Sequence, residues 1–139
     1  MMKKILAALA LSGTTSLAAA DGQPVTVILS ASSGMTQGMA MVLANQMQAQ
    51  GAQVDILLCD QAGDLALRDA GGEPLKPNDV TPAQLLGGAI QKGATASVCA
   101  LYLPNSGHSP ESLREGVTVA RPDAMARSML EKDRKVFSF

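Results

Sequence analysis

The chain has 139 residues, of which 47% are hydrophobic and 2% aromatic, and its 11 Lys and Arg residues nearly balance its 12 Asp and Glu residues. A net charge of −1, with no basic cluster and almost no aromatic side chains to stack on bases, argues against nucleic-acid binding. The high apolar content and low charge exclude a disordered chain. Two cysteines are too few for a disulfide-built scaffold or a four-cysteine zinc site.

The first twenty residues follow the order of a secretory signal peptide. Lys3 and Lys4 form a positive start, residues 5–11 form an apolar run, and residues 18–20 are small alanines that suit a cleavage site. The apolar run is too short to cross a bilayer as a helix. A buried N-terminal helix is the alternative, and it fits this order of charge, apolar run and small residues less well.

Cleavage after this segment leaves a single domain, residues 21–139, that begins at Asp21. The rest of the chain contains no uninterrupted apolar run of about 18 residues, the length that spans a membrane. We therefore expect an exported, periplasmic protein with no membrane segment after cleavage. Because that compartment oxidises thiols, the oxidation state of the two cysteines, Cys59 and Cys99, has to be considered.

Short apolar runs alternate with helical patterns along the remaining chain. A capping box, formed by Thr81 and Gln84 with Pro82 between them, marks the start of one predicted helix. Strands that alternate with helices predict a parallel sheet that is covered on both faces. The predicted strands are residues 25–29, 54–59, 95–100, 117–119 and 136–139, and the other predicted helices are residues 35–50 and 122–132.

Helical spacing predicts which methionines enter the core. Core filling is favoured over copper binding through thioether groups, because the residues fall on different helix faces. The predicted inner face of the first helix contains Met39, Val42, Leu43 and Met47, and the other faces contain Met35 and Met41. The predicted inner face of the last helix contains Met125, Met129 and Leu130.

The second half of the chain has a pattern that is found in a known family. A strand ends at Cys99, a loop with Gly107 follows, and residues 111–117 (Glu-Ser-Leu-Arg-Glu-Gly-Val) lead to a helix and a terminal apolar strand. This arrangement resembles the DsrE/DsrF family, which includes YchN-like proteins and the Tus sulfur-relay subunits. The resemblance covers residues 24–139, because the first half also has a strand, a small-residue loop, a Met- and Ala-rich helix and a strand that ends near Asp60.

The resemblance implies both an architecture and a chemistry. The implied fold is α/β, with three α/β/α layers around a mainly parallel, flavodoxin-like five-stranded sheet, and it implies a homo-oligomer, either a trimer or a hexamer. In some members a cysteine carries persulfide sulfur, so the implied function is a sulfur carrier or sulfurtransferase-like protein with a sulfur donor or acceptor protein as partner. The alternative is a non-catalytic oligomeric binding or assembly protein of the same fold.

Cys99 occupies the position that the resemblance assigns to the sulfur acceptor. It is predicted at the carboxyl end of a central strand, where open α/β sheets place their binding crevice. A reactive thiol needs a nearby positive charge or helix N-terminus. The family often has Arg-Gly shortly after the cysteine, but residues 103–108 contain no Arg, so His108 and Arg114 are the candidate thiolate stabilisers. The alternatives are a buried core role for Cys99 and a solvated loop position for His108.

Cys59 also ends a predicted strand. In the flavodoxin-like order, the first strand lies between the strands that end at Cys59 and Cys99, which separates the two residues by roughly 9–10 Å. A disulfide needs Cα atoms within about 7 Å. We therefore expect no disulfide within one subunit and a buried packing role for Cys59, with a redox partner as the alternative.

The loop of residues 30–34 precedes a helix N-terminus, which could hold an anion through backbone N–H groups. It lacks the Gly-Lys-Ser/Thr ending of a phosphate-binding loop. A connector with a capping Ser33 or Thr36 is the simpler interpretation. From the sequence we expect no cofactor and no bound metal.

Overall fold

The computed structural model describes residues 22–139, and the predicted signal peptide lies outside the described residues. Within that range, none of the helices combines the length and apolar character needed to cross a membrane. The predicted α/β class and five-stranded parallel sheet are confirmed. The strands are β1 (Pro24–Leu29), β2 (Gln53–Leu58), β3 (Thr95–Val98), β4 (Val117–Val119) and β5 (Lys135–Ser138). The helices are α1 (Gly34–Ala49), α2 (Pro82–Gln91), α3 (Tyr102–Ser106) and α4 (Pro122–Met129), with 3-10 helices at Asp60–Ala66 and Pro110–Ser112.

The strand order is β4-β3-β2-β1-β5. The expected order, in which β1 separates β2 from β3, is wrong, because β2 itself lies between β1 and β3. The first three connections each move one strand in the same direction, and the last connection returns across the sheet to place β5 beside β1. Because such crossovers are right-handed, α1 and α2 cover one face of the sheet and α4 crosses the other.

The apolar core lies between the first of these faces and helices α1 and α2. Alternate strand residues point into it, and those of β1 and β2 are at most 3% exposed: Val25, Val27, Leu29, Val54, Ile56 and Leu58. Two amides of α1 tie it to α2, since Asn45 Nδ2 donates to the Leu85 carbonyl (3.0 Å) and Gln48 Nε2 donates to the Ala89 carbonyl (3.2 Å).

The predicted inner face of α1 is wrong, because the buried face of the helix is rotated from it by a fraction of a turn. Met41 is fully buried, whereas Met39 is 54% exposed. The reason is close packing: the helix buries Gly38, Ala40 and Ala44 beside Met41, and this narrow stripe of small residues lets α1 approach the sheet and α2. The larger apolar side chains beside the stripe are left facing outward.

The part of the second sheet face near α4 is mostly polar, and α4 packs on it without burying any of its own residues. The strand residues beneath α4 include Asp55, Thr95, Ser97 and Thr118. No residue of α4 is buried, the helix ends at Met129 instead of Lys132, and Leu130 is 84% exposed. The predicted inward orientation of Leu130 is therefore wrong. The physical reason is that a polar sheet face gives an amphipathic helix little apolar surface to bury.

Arg134 anchors the chain as it returns to form β5. Its guanidinium donates to the Asp55 carboxylate (2.6 Å), to the Thr26 hydroxyl (3.2 Å) and to the Glu131 carboxylate (2.9 Å). The Arg134 side chain is 9% exposed, and Thr26 is fully buried. Arg134 therefore supplies the hydrogen bonds that two polar groups inside the second face require.

We expect Arg134→Ala to lower the free energy of unfolding by roughly 2–4 kcal/mol, because it removes the cation beside a partly buried carboxylate and a hydrogen bond to the buried Thr26 hydroxyl. Arg127→Ala is the matched control, since the side chain of Arg127 is 70% exposed where it pairs with Asp123, and it should cost less than about 1 kcal/mol. Urea denaturation of the three chains measures both values. Equal losses in the two variants would contradict a structural role for Arg134.

Candidate functional site

The two cysteines lie side by side at the carboxyl edge of the sheet. Leu58 pairs with Val98 in the β2–β3 register, and the Cys99 N–H donates to the Leu58 carbonyl (2.8 Å). Cys59 and Cys99 are the next residues of each strand, so one strand spacing of about 4.8 Å separates them, and the expected separation by two spacings is wrong. Both are half-buried free thiols at neighbouring strand ends.

Cys59 holds its proton tightly. Burial, followed by the hydrogen bond with Cys99, the charge of Cys99 and the Asp60 carboxylate, raises the pKa of Cys59 from 9.0 to about 12. Cys59 is therefore a thiol near neutral pH and can donate its S–H to Cys99. The thiolate is the reactive form of cysteine, so the raised pKa makes Cys59 a poor nucleophile near neutral pH.

A cavity of about 450 Å³ opens beside Cys99, beyond the carboxyl ends of β2 and β3. The 3-10 helix that follows β2 forms one wall, and α3 with the residue before it forms the other. This is the edge at which parallel α/β sheets form their binding sites. The residues that line the cavity are Asp60, Gln61, Asp64, Cys99, Leu101, Tyr102, Asn105 and Ser106.

Tyr102 joins the two walls of the cavity. Its hydroxyl donates to the Asp64 carboxylate (2.5 Å), and burial together with this bond raises the pKa of Tyr102 to about 12. The ring packs directly on the backbone of Gly63, where a Cβ atom would lie 2.3 Å from ring atom Cδ2. A glycine is therefore required at position 63 for the ring to reach its place.

His108 and Arg114, the two predicted thiolate stabilisers, both lie outside the lining of the cavity beside Cys99. The exposed His108 ring stacks on Tyr102, with ring centroids 6.2 Å apart, so it lies behind the cavity wall. The Arg114 guanidinium donates to the Ala83 carbonyl (2.8 Å) at the start of α2. Neither residue is among those that line the cavity.

The sequence analysis missed the polar residues around Cys99. Asp60 and Asp64 directly follow a strand end, and this is a recognisable signal once that strand is known to adjoin β3. Tyr102 and Asn105 lie in α3, in a stretch that partly overlaps the predicted loop of residues 104–110. Across residues 22–139, no three or more His, Cys, Asp and Glu side chains group in a way that could hold a metal ion.

We expect alkylation of Cys59 by iodoacetamide to be slow at pH 8 and to increase about tenfold per pH unit until about pH 12, because only the thiolate reacts. The raised pKa also means that the Cys59 contribution to stability is complete below pH 9.0 and is lost as the pH rises towards about 12. Peptide mapping by mass spectrometry follows Cys59 separately from Cys99. In the denatured chain, the control, Cys59 should titrate near its ordinary value, and the same profile in the folded chain would contradict the shift.

No family model matches the chain, and no curated protein matches its sequence. Solved structures do match the fold. The crystal structure of the YchN protein from Escherichia coli superposes with a TM-score of 0.66 at 19% identity, covering 85% of this chain and 99% of YchN. MTH1491 from Methanobacterium thermoautotrophicum, described as a protein of unknown function, has a TM-score of 0.60 at 13% identity, covering 86% of this chain and 100% of its own.

BT1422 from Bacteroides thetaiotaomicron, a conserved protein of unknown function, has a TM-score of 0.57 at 18% identity, covering 84% of this chain and 95% of its own. These similarities span essentially the whole described domain and nearly the whole of each compared chain. They confirm, at the level of the fold, the resemblance that the sequence pattern indicated. The chain has the fold of the DsrE/YchN family.

Proposed function

We propose that this protein is a sulfur carrier in which Cys99 accepts sulfane sulfur as a persulfide. The observation that carries the proposal is the position of Cys99, which lines a cavity of about 450 Å³ at the carboxyl end of β3 and has a second cysteine at the neighbouring strand end. Binding sites of parallel α/β sheets lie at this edge. The resemblance to the DsrE/DsrF family supports the chemistry, because in some members a matching cysteine carries sulfur.

The proposed transfer balances without a cofactor. The Cys99 thiolate attacks the outer sulfur of a donor persulfide, the donor S–S bond breaks, and the donor leaves as a thiolate while Cys99 becomes the persulfide. The cavity gives the donor access to Cys99. The S–H of Cys59 can donate a hydrogen bond to the Cys99 thiolate before the attack, a role that a cation plays in other reactive cysteine sites.

A second candidate function, a non-catalytic oligomeric binding protein, is favoured by the charge of the cavity. The residues that line it include the carboxylates of Asp60 and Asp64 and no Lys, Arg or His. Carboxylates beside a thiol disfavour its charged form. Under this alternative the cavity holds a ligand, and Cys99 only forms part of its wall.

We expect Cys59→Ser to take up one sulfur atom at Cys99 after incubation with glutathione persulfide, because serine keeps a hydrogen-bond donor beside Cys99. Cys99→Ser, the matched variant, should take up none. Intact-mass and peptide mass spectrometry under non-reducing conditions locate the added sulfur. Absence of added sulfur from the Cys59→Ser chain would support the binding-protein alternative.

The proposal includes assembly of several copies through an apolar surface of α1 and the loop that precedes α2, as the family resemblance implies. This surface surrounds a cavity of about 380 Å³. Met35, Met39 and Val42 are all exposed, although each is a large apolar side chain. Contiguous apolar surface of this kind is characteristic of interfaces between proteins. The apolar surface consists of Met35, Met39, Val42, Leu75, Val80 and Leu85.

We expect the chain to form a trimer or hexamer at micromolar concentration and Met39→Glu to reduce its mass, because a carboxylate in the centre of the apolar surface would lose its hydration on assembly. Leu130→Glu is the control, since Leu130 is a more exposed apolar residue outside that surface. Light scattering measures the mass of all three chains. A monomeric wild-type chain would contradict the proposed assembly.

The proposal also includes export of the protein to the periplasm. We expect the mature protein to begin at Asp21, because Lys3 and Lys4, the apolar run and the alanines before Asp21 have the order that signal peptidase requires. Intact-mass analysis of a periplasmic extract measures the N-terminus. Lys3→Glu together with Lys4→Glu should reduce export, and an unprocessed chain in the cytosol would contradict the proposal.

A further inference from the structure

We infer that Cys59 is a resolving thiol: it attacks Cys99 after that residue has accepted sulfur, forms a Cys59–Cys99 disulfide and releases the sulfur as sulfide. This inference rests on the proposed function, because it requires a persulfide on Cys99. The observation that leads to it is the strand order, which places the two cysteines at neighbouring strand ends.

The backbone geometry permits the disulfide. Adjacent strands are about 4.8 Å apart, and disulfides join Cα atoms that are about 4.4–6.8 Å apart. Backbone hydrogen bonds hold both residues in register, from Cys59 N–H to the Leu29 carbonyl (2.9 Å) and from Cys99 N–H to the Leu58 carbonyl (2.8 Å). Both residues lie one position beyond the last paired residues of β2 and β3, so they extend the same register.

The cavity and Cys59 are separate neighbours of Cys99. Cys99 lines the cavity, and Cys59, one strand away, does not. A sulfur atom added to Cys99 has room in the cavity, and the inner sulfur stays beside the neighbouring strand end that carries Cys59. In thiol–disulfide exchange, a thiolate attacks one sulfur of the bond and the other sulfur leaves.

The step balances without a further reagent. Cys59 loses its proton to solvent, and its sulfur attacks the inner sulfur of the Cys99 persulfide. The bond between inner and outer sulfur breaks, and the outer sulfur takes the electron pair and leaves as hydrosulfide. The sulfane sulfur is reduced to sulfide, and the two cysteines are oxidised to one disulfide. Two equivalents of a low-molecular-weight thiol then reduce the disulfide to two free cysteines by exchange and are themselves oxidised to a disulfide.

The state of Cys99 controls when Cys59 can react. While Cys99 is free, its hydrogen bond and its charge contribute to the raised pKa of Cys59, which keeps Cys59 a thiol. An added sulfur atom on Cys99 changes both contributions to the pKa of Cys59, because the inner sulfur of the persulfide no longer carries the negative charge. Burial still disfavours the Cys59 thiolate, so release of sulfide is slow near neutral pH and becomes faster as the pH rises. A loaded Cys99 therefore has time to pass its sulfur to an acceptor.

The experiment compares the full mature wild-type chain with Cys59→Ser after brief treatment with glutathione persulfide and removal of the excess by desalting. We expect the wild-type chain to release sulfide and lose two hydrogens, with a Cys59–Cys99 linkage in the peptide map. Cys59→Ser should keep the added sulfur and release at most a tenth as much sulfide in the same period. The wild-type rate should rise about tenfold per pH unit between pH 7 and 9 and should not depend on protein concentration.

A wild-type chain that keeps its persulfide as long as Cys59→Ser would overturn the inference and leave the proposed function intact. Failure of Cys59→Ser, and of a second variant Cys59→Ala, to take up sulfur would overturn the proposed function instead. The reaction of the wild-type chain with glutathione disulfide then tests, without any persulfide, whether Cys59 can form a disulfide with Cys99. Formation of the intramolecular disulfide supports resolution by Cys59, and a lasting mixed disulfide at Cys99 overturns it.

Discussion

Backbone hydrogen bonds between β2 and β3, in the register that pairs Leu58 with Val98, hold the two cysteines of this chain next to each other. The same pairing places the 3-10 helix after β2 opposite α3 after β3, and the cavity lies between these two segments. The final connection crosses the sheet and pairs β5 with the free edge of β1. Arg134 stabilises that return. The chemistry of the site therefore depends on strand order more than on any single side chain.

The alternation of strands and helices could be predicted from the sequence, because each element carries its own local signal. The capping box of α2 is one example: Thr81 Oγ1 accepts from the Gln84 N–H (3.2 Å), and Gln84 Oε1 accepts from the Thr81 N–H (2.8 Å). Strand order has no such signal, since buried parallel strands are all short apolar runs. The position of Cys99 after a central strand was therefore predictable, whereas its contact with Cys59 was not.

Which face of α1 is buried could not be predicted from the sequence, for a related reason. Spacing alone favours the stripe with the largest apolar residues, but a closely packed helix buries its smallest ones. At Gly38 a Cβ atom would lie 2.2 Å from Leu75 Cδ1, which shows how closely the loop before α2 approaches the helix. Met39 and Val42 are consequently exposed on the apolar surface. The same packing that tightens the core thus produces the surface through which we propose that copies assemble.

The two roles that we propose for Cys59 belong to different states of the site. Beside a free Cys99, the thiol of Cys59 is a hydrogen-bond donor whose proton is retained by burial and by its neighbour. Beside a loaded Cys99, the same sulfur is the nearest nucleophile. An S–H group is a weak donor compared with Arg or Lys, so a cysteine is a poor substitute for a cation if stabilising a thiolate were its whole role. Unlike a cation, however, a second thiol can also discharge a persulfide that has found no acceptor. The pairing of two cysteines beside a cavity lined by carboxylates is better explained by this second ability than by thiolate stabilisation alone.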